Sequence, residues 1–381
     1  MPDKRTTPAQ DVPTDPAALA RRQANLHGLE YRAEAARLGP PVCPIIDAHV
    51  HINGPRSAEI LAAAADAFGI ERFYSQTPIH RAAEVRAVLG ERVRFVAVPD
   101  YTSAEPGHAL RAGFVDALER WAGEFGARMF KLWAAPRFRD YAERAGLPIR
   151  EIVPIDSHWR QMVARRGEQL GMMMMVHVAD PDTWFATDYA DAGRYGRKSD
   201  HYAPFERVLR AWPNGCLAAH MAGSPEDLSR LSGLLDRWPN LIIDTSATRW
   251  MVRELSRHPR AELLAFFERY RGRVLFGSDI VASEDHLGSG GDGRYGASLA
   301  ASEADAFDLY ASRYWAMRTM FESAHDGPSN IADPDLMKLD PAGAGPLSAS
   351  RLVGRSVPPE LLKVLYRGAC AATLDAWYEG N

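Results

Sequence analysis

What most limits the folds open to this chain is a rhythm of eight short apolar runs, each followed by a longer stretch of helical pattern. The runs cover residues 45–50, 72–76, 93–99, 128–133, 172–178, 215–221, 241–246 and 273–280. Helices are predicted between them over 57–68, 80–89, 108–121, 157–170, 204–212, 225–237 and 251–270, and after the last run over 302–321. Near-continuous apolar strands alternating with helices read as a parallel sheet covered on its outside. The spacing suits the ~30-residue scale of a βαβ unit. Eight such units favour an α/β fold of the (β/α)8 TIM-barrel type over an open doubly wound sheet. No GxGxxG follows the first run, which weakens a dinucleotide-binding reading further.

The expected division is a flexible arm and helix over 1–40, a catalytic barrel over 41–325, and an irregular connection with a closing helix over 326–381. Within the first part the arm covers 1–16 and the helix 17–38; the closing helix covers 359–378. Three connections that follow strands are long: 134–156, 179–203 and 282–301, the last containing HLGSGGDGRYG. In a barrel such connections gather at the C-terminal face, where active sites are built.

Composition narrows the partners. Forty-five Lys and Arg against 49 Asp and Glu give a net charge of -4, which offers no electrostatic case for nucleic acid or an anionic membrane. No stretch approaches the ~18 apolar residues of a membrane span, and the polar N-terminus does not read as a signal peptide. Cys43, Cys216 and Cys370 are too scattered for a disulfide framework or a CxxC metal site. The expectation is a cytoplasmic enzyme acting on a small molecule, with a homodimer as the assembly to look for.

The chemistry concentrates in Asp47-Ala48-His49-Val50-His51. Residues two apart on a strand share a face, so His49 and His51 project together, and two neutral imidazoles make a partial ligand set for a divalent metal. Asp47 is expected on the same face, orienting a ligand. Alone, such a pair reads more readily as two histidines meeting by chance at a strand end. Three other apolar runs, however, also end in a single polar group: His177 after MMMMV, His220 after CLAA and Asp279 after VLFGS. By contrast His27, His80, His108, His158, His258 and His325 fall on helices or loops without such a pattern, and His201 and His286 lie in the long loops. Met172–Met175 read as adaptable core filler on a strand buried on both faces.

This ordered set resembles the amidohydrolase superfamily, over roughly residues 41–325. LIIDTSA (241–247) and VLFGSD (274–279) are similar to strands seven and eight of the branch containing aminocarboxymuconate-semialdehyde decarboxylase, resorcylate decarboxylases and lactone or amide hydrolases. LYRGACAATL (365–374) resembles that branch's closing helix, with Ala and Cys where an asparagine is often seen. The resemblance implies one divalent ion, zinc first, held by His49, His51, His177 and Asp279. It further implies Asp279 as proton shuttle and His220 as hydrogen-bond donor to an oxyanion. Lys131, in MFKLW, stands where binuclear members carry a carboxylated lysine that bridges a second ion; a substrate-binding ammonium is the other reading.

Further substrate contacts are expected from Arg249, whose planar fork suits a carboxylate, and from Trp133 and Trp184 (with Phe185 beside it), which could face a ring. The function implied is hydrolysis of a C–N or C–O bond by metal-activated water. The alternative is non-oxidative decarboxylation of an aromatic or enoic acid.

Overall fold

The computed structural model of the protein describes residues 12–288 and 299–380. Most of the N-terminal arm and most of the glycine-rich run therefore lie outside the described residues. Eight parallel strands appear in the expected order: β1 (Ile45–Ile52), β2 (Ile70–Ser75), β3 (Val93–Phe95), β4 (Met129–Trp133), β5 (Met173–His177), β6 (Cys216–Ala218), β7 (Leu241–Asp244) and β8 (Val274–Leu275). Two ladders, β1 to β3 and β4 to β8, are joined by a parallel bridge between Ala97 and Phe130. On the other side the Ala48 N–H donates to the Phe276 carbonyl at 2.9 Å, so hydrogen bonds run around a closed (β/α)8 barrel. The eighth run is not one strand. It breaks at Gly277–Asp279 and resumes as β9 (Ile280–Ala282), which pairs with β1.

β1 carries an extra residue. Asp47 pairs with Phe73 and Val50 with Ser75, so β1 advances three residues while β2 advances two. Because side chains alternate, one inserted residue exchanges the faces of everything beyond it. Ile46 and Ala48 accordingly pack in the barrel interior with Met129, Met173, Met175, Leu217, Ile242 and Leu275, whereas Val50 and Ile52 join the outer core beneath the helices. His49 and His51 are thereby turned inward. Asp47, before the insertion, faces the other way, which overturns the expectation that it shares their face. Its buried carboxylate accepts from the Ser278 hydroxyl (2.6 Å), the His49 and Ser278 N–H groups and the Tyr314 hydroxyl, and touches no histidine ring.

The four methionines divide as expected for a strand buried on both faces: Met173 and Met175 inward, Met172 and Met174 outward. At its N-terminal end the interior is stoppered by the last helix, which contributes Ala369, Cys370 and Leu374 to the inner cluster. This helix opens with Pro359–Lys363 and ends with Ala376–Gly380, with two stretches of wider turns between them. Tyr74 donates to Asp375 at 2.6 Å and Tyr378 to the Phe95 carbonyl at 2.6 Å, tying the stopper to the strand ends.

The helix expected over 17–38 is two, Pro16–Ala24 and Tyr31–Leu38. Asn25 ends the first by closing a side-chain ring with Leu29, donating to its carbonyl and accepting from its N–H, a competing pattern typical of Asn. Among the described residues no helix is long and apolar enough to cross a membrane.

The stopper predicts a stability effect remote from any chemistry. Leu374 is fully buried, so Leu374→Ala should cost ~2–5 kcal/mol in urea unfolding, as for other core leucine truncations. An unfolding midpoint equal to the parent's would contradict a packed stopper.

Candidate metal centre

At the C-terminal mouth, β1 and the break after β8 bring three donor atoms together. Asp279 Oδ1 lies 3.3 Å from His51 Nε2 and 3.4 Å from His49 Nε2, and the three residues form a group able to hold one metal ion. Asp279 reaches that position by adopting a left-handed backbone (φ 58°), rare for a residue with a side chain, and its N–H is anchored on the His49 carbonyl at 2.8 Å. Gly277 makes room: a Cβ there would stand 3.1 Å from that of Ser246 and 3.2 Å from that of His49. Such a side chain would push on both residues that frame the site.

A second group, His49, His220 and Asp244, is fully buried, but its atoms are spent on one another. Asp244 Oδ2 stands 2.9 Å from His49 Nδ1, and Asp244 Oδ1 accepts from the His220 and Ser246 N–H groups at 2.8 and 3.0 Å. The Ser246 hydroxyl donates to Asp244 Oδ1 and lies 2.7 Å from His220 Nδ1. Proton bookkeeping then settles both rings. Asp244 can only accept, so His49 carries its proton on Nδ1 and keeps the Nε2 lone pair for the site. Ser246 spends its proton on Asp244, so it accepts from His220 Nδ1–H, which leaves His220 Nε2 also bare.

Burial alone would raise the Asp244 carboxyl. Its contacts with His49 outweigh that and hold it at about 2. Burial also pushes His220 well below the ordinary imidazole value, so the ring is neutral at pH 7. A neutral ring bare at Nε2 accepts hydrogen bonds there in the resting site. His220, Met221 and Ala222 all have left-handed backbones (φ 57°, 49° and 53°), a turn held by the His220 N–H bond to Asp244.

The remaining expected residues divide. The His177 ring meets that of His220 edge-on at 4.4 Å, but its Nε2 is bonded to Asp180 Oδ1 at 2.7 Å and it belongs to neither three-residue group. Lys131 is buried beside the site, donating to His49 Nε2 at 2.9 Å and to Gln76 Oε1; burial lowers its amine to about 8, with Asp279 and Asp244 opposing. Arg249 is half-buried on the helix Thr248–Leu255 and, among the described residues, pairs with no carboxylate. Trp133 packs in a side cluster with Tyr101, Phe138 and Tyr141. Trp184 is covered by Lys338 (Nζ 4.4 Å from the ring centre) and by Arg137. The indole against the histidines is instead Trp250, 5.6 Å from His220 and 6.3 Å from His177.

Asp244, Ser246, Gln76 and Trp250 were not anticipated. The first was within reach, since Asp244 ends an apolar run just as His177, His220 and Asp279 do.

No family model and no curated protein matches the chain. Likeness to solved structures is slight. An amidohydrolase from Burkholderia multivorans is 13% identical, covering 87% of this chain and 99% of that one, with a TM-score of 0.37. A dihydroorotase from Saccharomyces cerevisiae is 12% identical, covering 89% and 85%, with a TM-score of 0.32. An uncharacterized protein is 16% identical over 72% and 75%, with a TM-score of 0.34. None of these bears on the reaction.

Two outcomes follow from the electrostatics. Asp244→Asn places an N–H or a weaker acceptor opposite His49 Nδ1 and should weaken zinc binding ~10–100-fold in chelator competition, as for other partners of ligating histidines; unchanged affinity would contradict the tautomer assignment. Burial depresses His51 to about 4, with Asp279 opposing. Between the ordinary value of ~6.5 and 4, then, the unfolded chain binds a proton that the folded chain excludes. Metal-free protein should lose stability as pH falls through that window, and His51→Gln should flatten the profile in urea midpoints taken at several pH values. Parallel profiles would remove His51 as the cause.

Proposed function

We propose that the chain is a metal-dependent hydrolase of the amidohydrolase type, cleaving a C–N or C–O bond of a small polar molecule in the cytoplasm. The observation that carries this reading is the meeting of His49 Nε2, His51 Nε2 and Asp279 Oδ1, with Asp244 holding the His49 proton on the far nitrogen. Two imidazole nitrogens and a carboxylate oxygen suit zinc. His49, His51 and Asp279 would hold the ion, with His177 the neighbouring imidazole able to complete the set. A bound divalent ion supplies Lewis acidity and makes water a competent nucleophile near neutral pH.

The chain's own residues divide the remaining work. The surrounding imidazoles, His220 and His51 foremost, outweigh burial and hold Asp279 well below the usual carboxylate range, so it is ionised whenever the site is used. With Oδ1 turned to the two histidines, Oδ2 is left to take the proton of the attacking water and deliver it to the leaving group. His220 Nε2, neutral and bare, is a second acceptor for that proton, and once protonated it donates to the developing oxyanion. Lys131 and Arg249 favour an anionic substrate. That preference also supports the alternative reading, non-oxidative decarboxylation of an aromatic or enoic acid. A single ion is proposed, which would take the His49 Nε2 lone pair that Lys131 otherwise occupies and leave the amine on Gln76.

Elemental analysis of purified protein should find one divalent ion per chain, abolished by His49→Ala. In turnover, solvent ¹⁸O should enter the product; CO₂ release without it would favour the decarboxylase. Asp279→Asn should retain appreciable metal while losing ~10²–10⁴ in kcat, the usual scale of general acid–base catalysis. Near-parental kcat would reduce Asp279 to a metal anchor.

A further inference from the structure

The irregular connection 326–358 packs against the connections that follow β5 and β7 and supplies a residue that grips the aromatic side of the site. Asp335 begins the short helix Asp335–Leu339 and is buried. One of its oxygens, Oδ2, accepts from three donors: Trp184 Nε1 at 3.0 Å, Trp250 Nε1 at 3.2 Å and Arg253 Nη1 at 3.1 Å. Its partner Asp333 binds the same Arg253 Nη1 at 2.7 Å and the Ser350 hydroxyl at 2.7 Å, so the segment is secured on both sides. Arg253 is itself buried and donates to Glu254 at 2.6 Å. The two indoles held by Asp335 meet edge-to-face with centres 5.7 Å apart, and Trp250 continues the row onto His220 and His177.

An indole can turn about two side-chain bonds and carries one N–H. When that N–H is fixed on a buried carboxylate, the ring plane is fixed as well. We propose that Asp335 is a positioning residue from outside the barrel: by holding both indole N–H groups on one oxygen, it sets Trp250 as a rigid wall against His177 and His220. Substrate then approaches over His51 and Asp279, whose side chains are 28% and 27% exposed while His49 is fully covered. The apolar part of the substrate lies against the Trp250 wall. The part played by substrate rests on the hydrolase reading above; the wall itself does not.

The test uses the full-length protein. An edge-to-face indole pair at this separation gives an exciton couplet in circular dichroism, which Trp250→Phe and Trp184→Phe should each abolish. Asp335→Ala should lose most of the couplet at a temperature where urea unfolding shows the variant still folded. Asp335→Asn, which keeps an acceptor oxygen, should retain most of it even if the alanine variant fails to fold. An unchanged couplet in folded Asp335→Ala or in folded Trp184→Phe, or its loss in folded Asp335→Asn, overturns the proposal. Added Co²⁺ supplies the link to the site. Asp335 touches none of His49, His51 or Asp279, so Asp335→Ala should bind Co²⁺ in parental stoichiometry while the ion quenches less indole emission. Identical quenching in folded Asp335→Ala and parent would overturn the link. Failure of the parent to bind Co²⁺ would sink the hydrolase reading and leave the couplet to decide the wall.

Discussion

A fully buried carboxylate at the end of β7 holds this site together. Asp244 has no exposure, and an uncompensated charge there would be costly. It is tolerable because every donor around it is aimed at it: His49 Nδ1, the N–H groups of His220 and Ser246, and the Ser246 hydroxyl. Satisfying that one group fixes the tautomer of His49, locks the left-handed turn that carries His220, and sets the direction of the Ser246 hydroxyl. Removing the carboxylate would not merely delete one contact. It would release the protonation pattern of two rings at once.

The second constraint is geometric. A barrel interior has to change from apolar filling to polar chemistry within a few residues, and three strands do so by simple alternation: Met129 then Lys131, Met173 then His177, Ile242 then Asp244. β1 does it differently. Its extra residue lets Ile46 and Ala48 fill the interior and still turns His49 and His51 inward above them, while Asp47 serves the outer layer by binding Ser278 and Tyr314. Bulges beside active sites that re-aim a side chain are a recognised device, and here the device separates three residues that strict alternation would place together.

How much of this was legible follows from the kind of signal involved. The eight strands and their order were readable because apolar runs between helical stretches are a local pattern, and their number favours a barrel over an open sheet. The polar groups at strand ends were readable for the same reason, and so were the buried methionines of β5. The face of Asp47 was not, because an insertion in the pairing depends on β2 as much as on β1. The proton on His220 was not, because it depends on Ser246 and Asp244, 26 and 24 residues away. Trp133 and Trp184 lie at or just after the end of a strand, the position that suggests a substrate contact, yet aromatic neighbours enclose one and two cations the other. Trp250, in the first turn of the helix that follows β7, makes the contact instead. Asp335 lies outside the barrel repeat altogether, so no pattern within the eight units could point to it.

The central claim is that His49, His51 and Asp279 form a metal centre whose histidines coordinate through Nε2. X-ray absorption of the zinc-loaded protein tests this most directly. The expected spectrum has imidazole nitrogens at ~2.0–2.1 Å with the outer-ring scattering of at least two histidines, carboxylate or water oxygen at a similar distance, and no sulfur at ~2.3 Å. Loss of one imidazole's scattering in His51→Ala would agree with that assignment. A metal-free spectrum after dialysis against a zinc buffer, or a shell dominated by sulfur or by oxygen without imidazole, would contradict it.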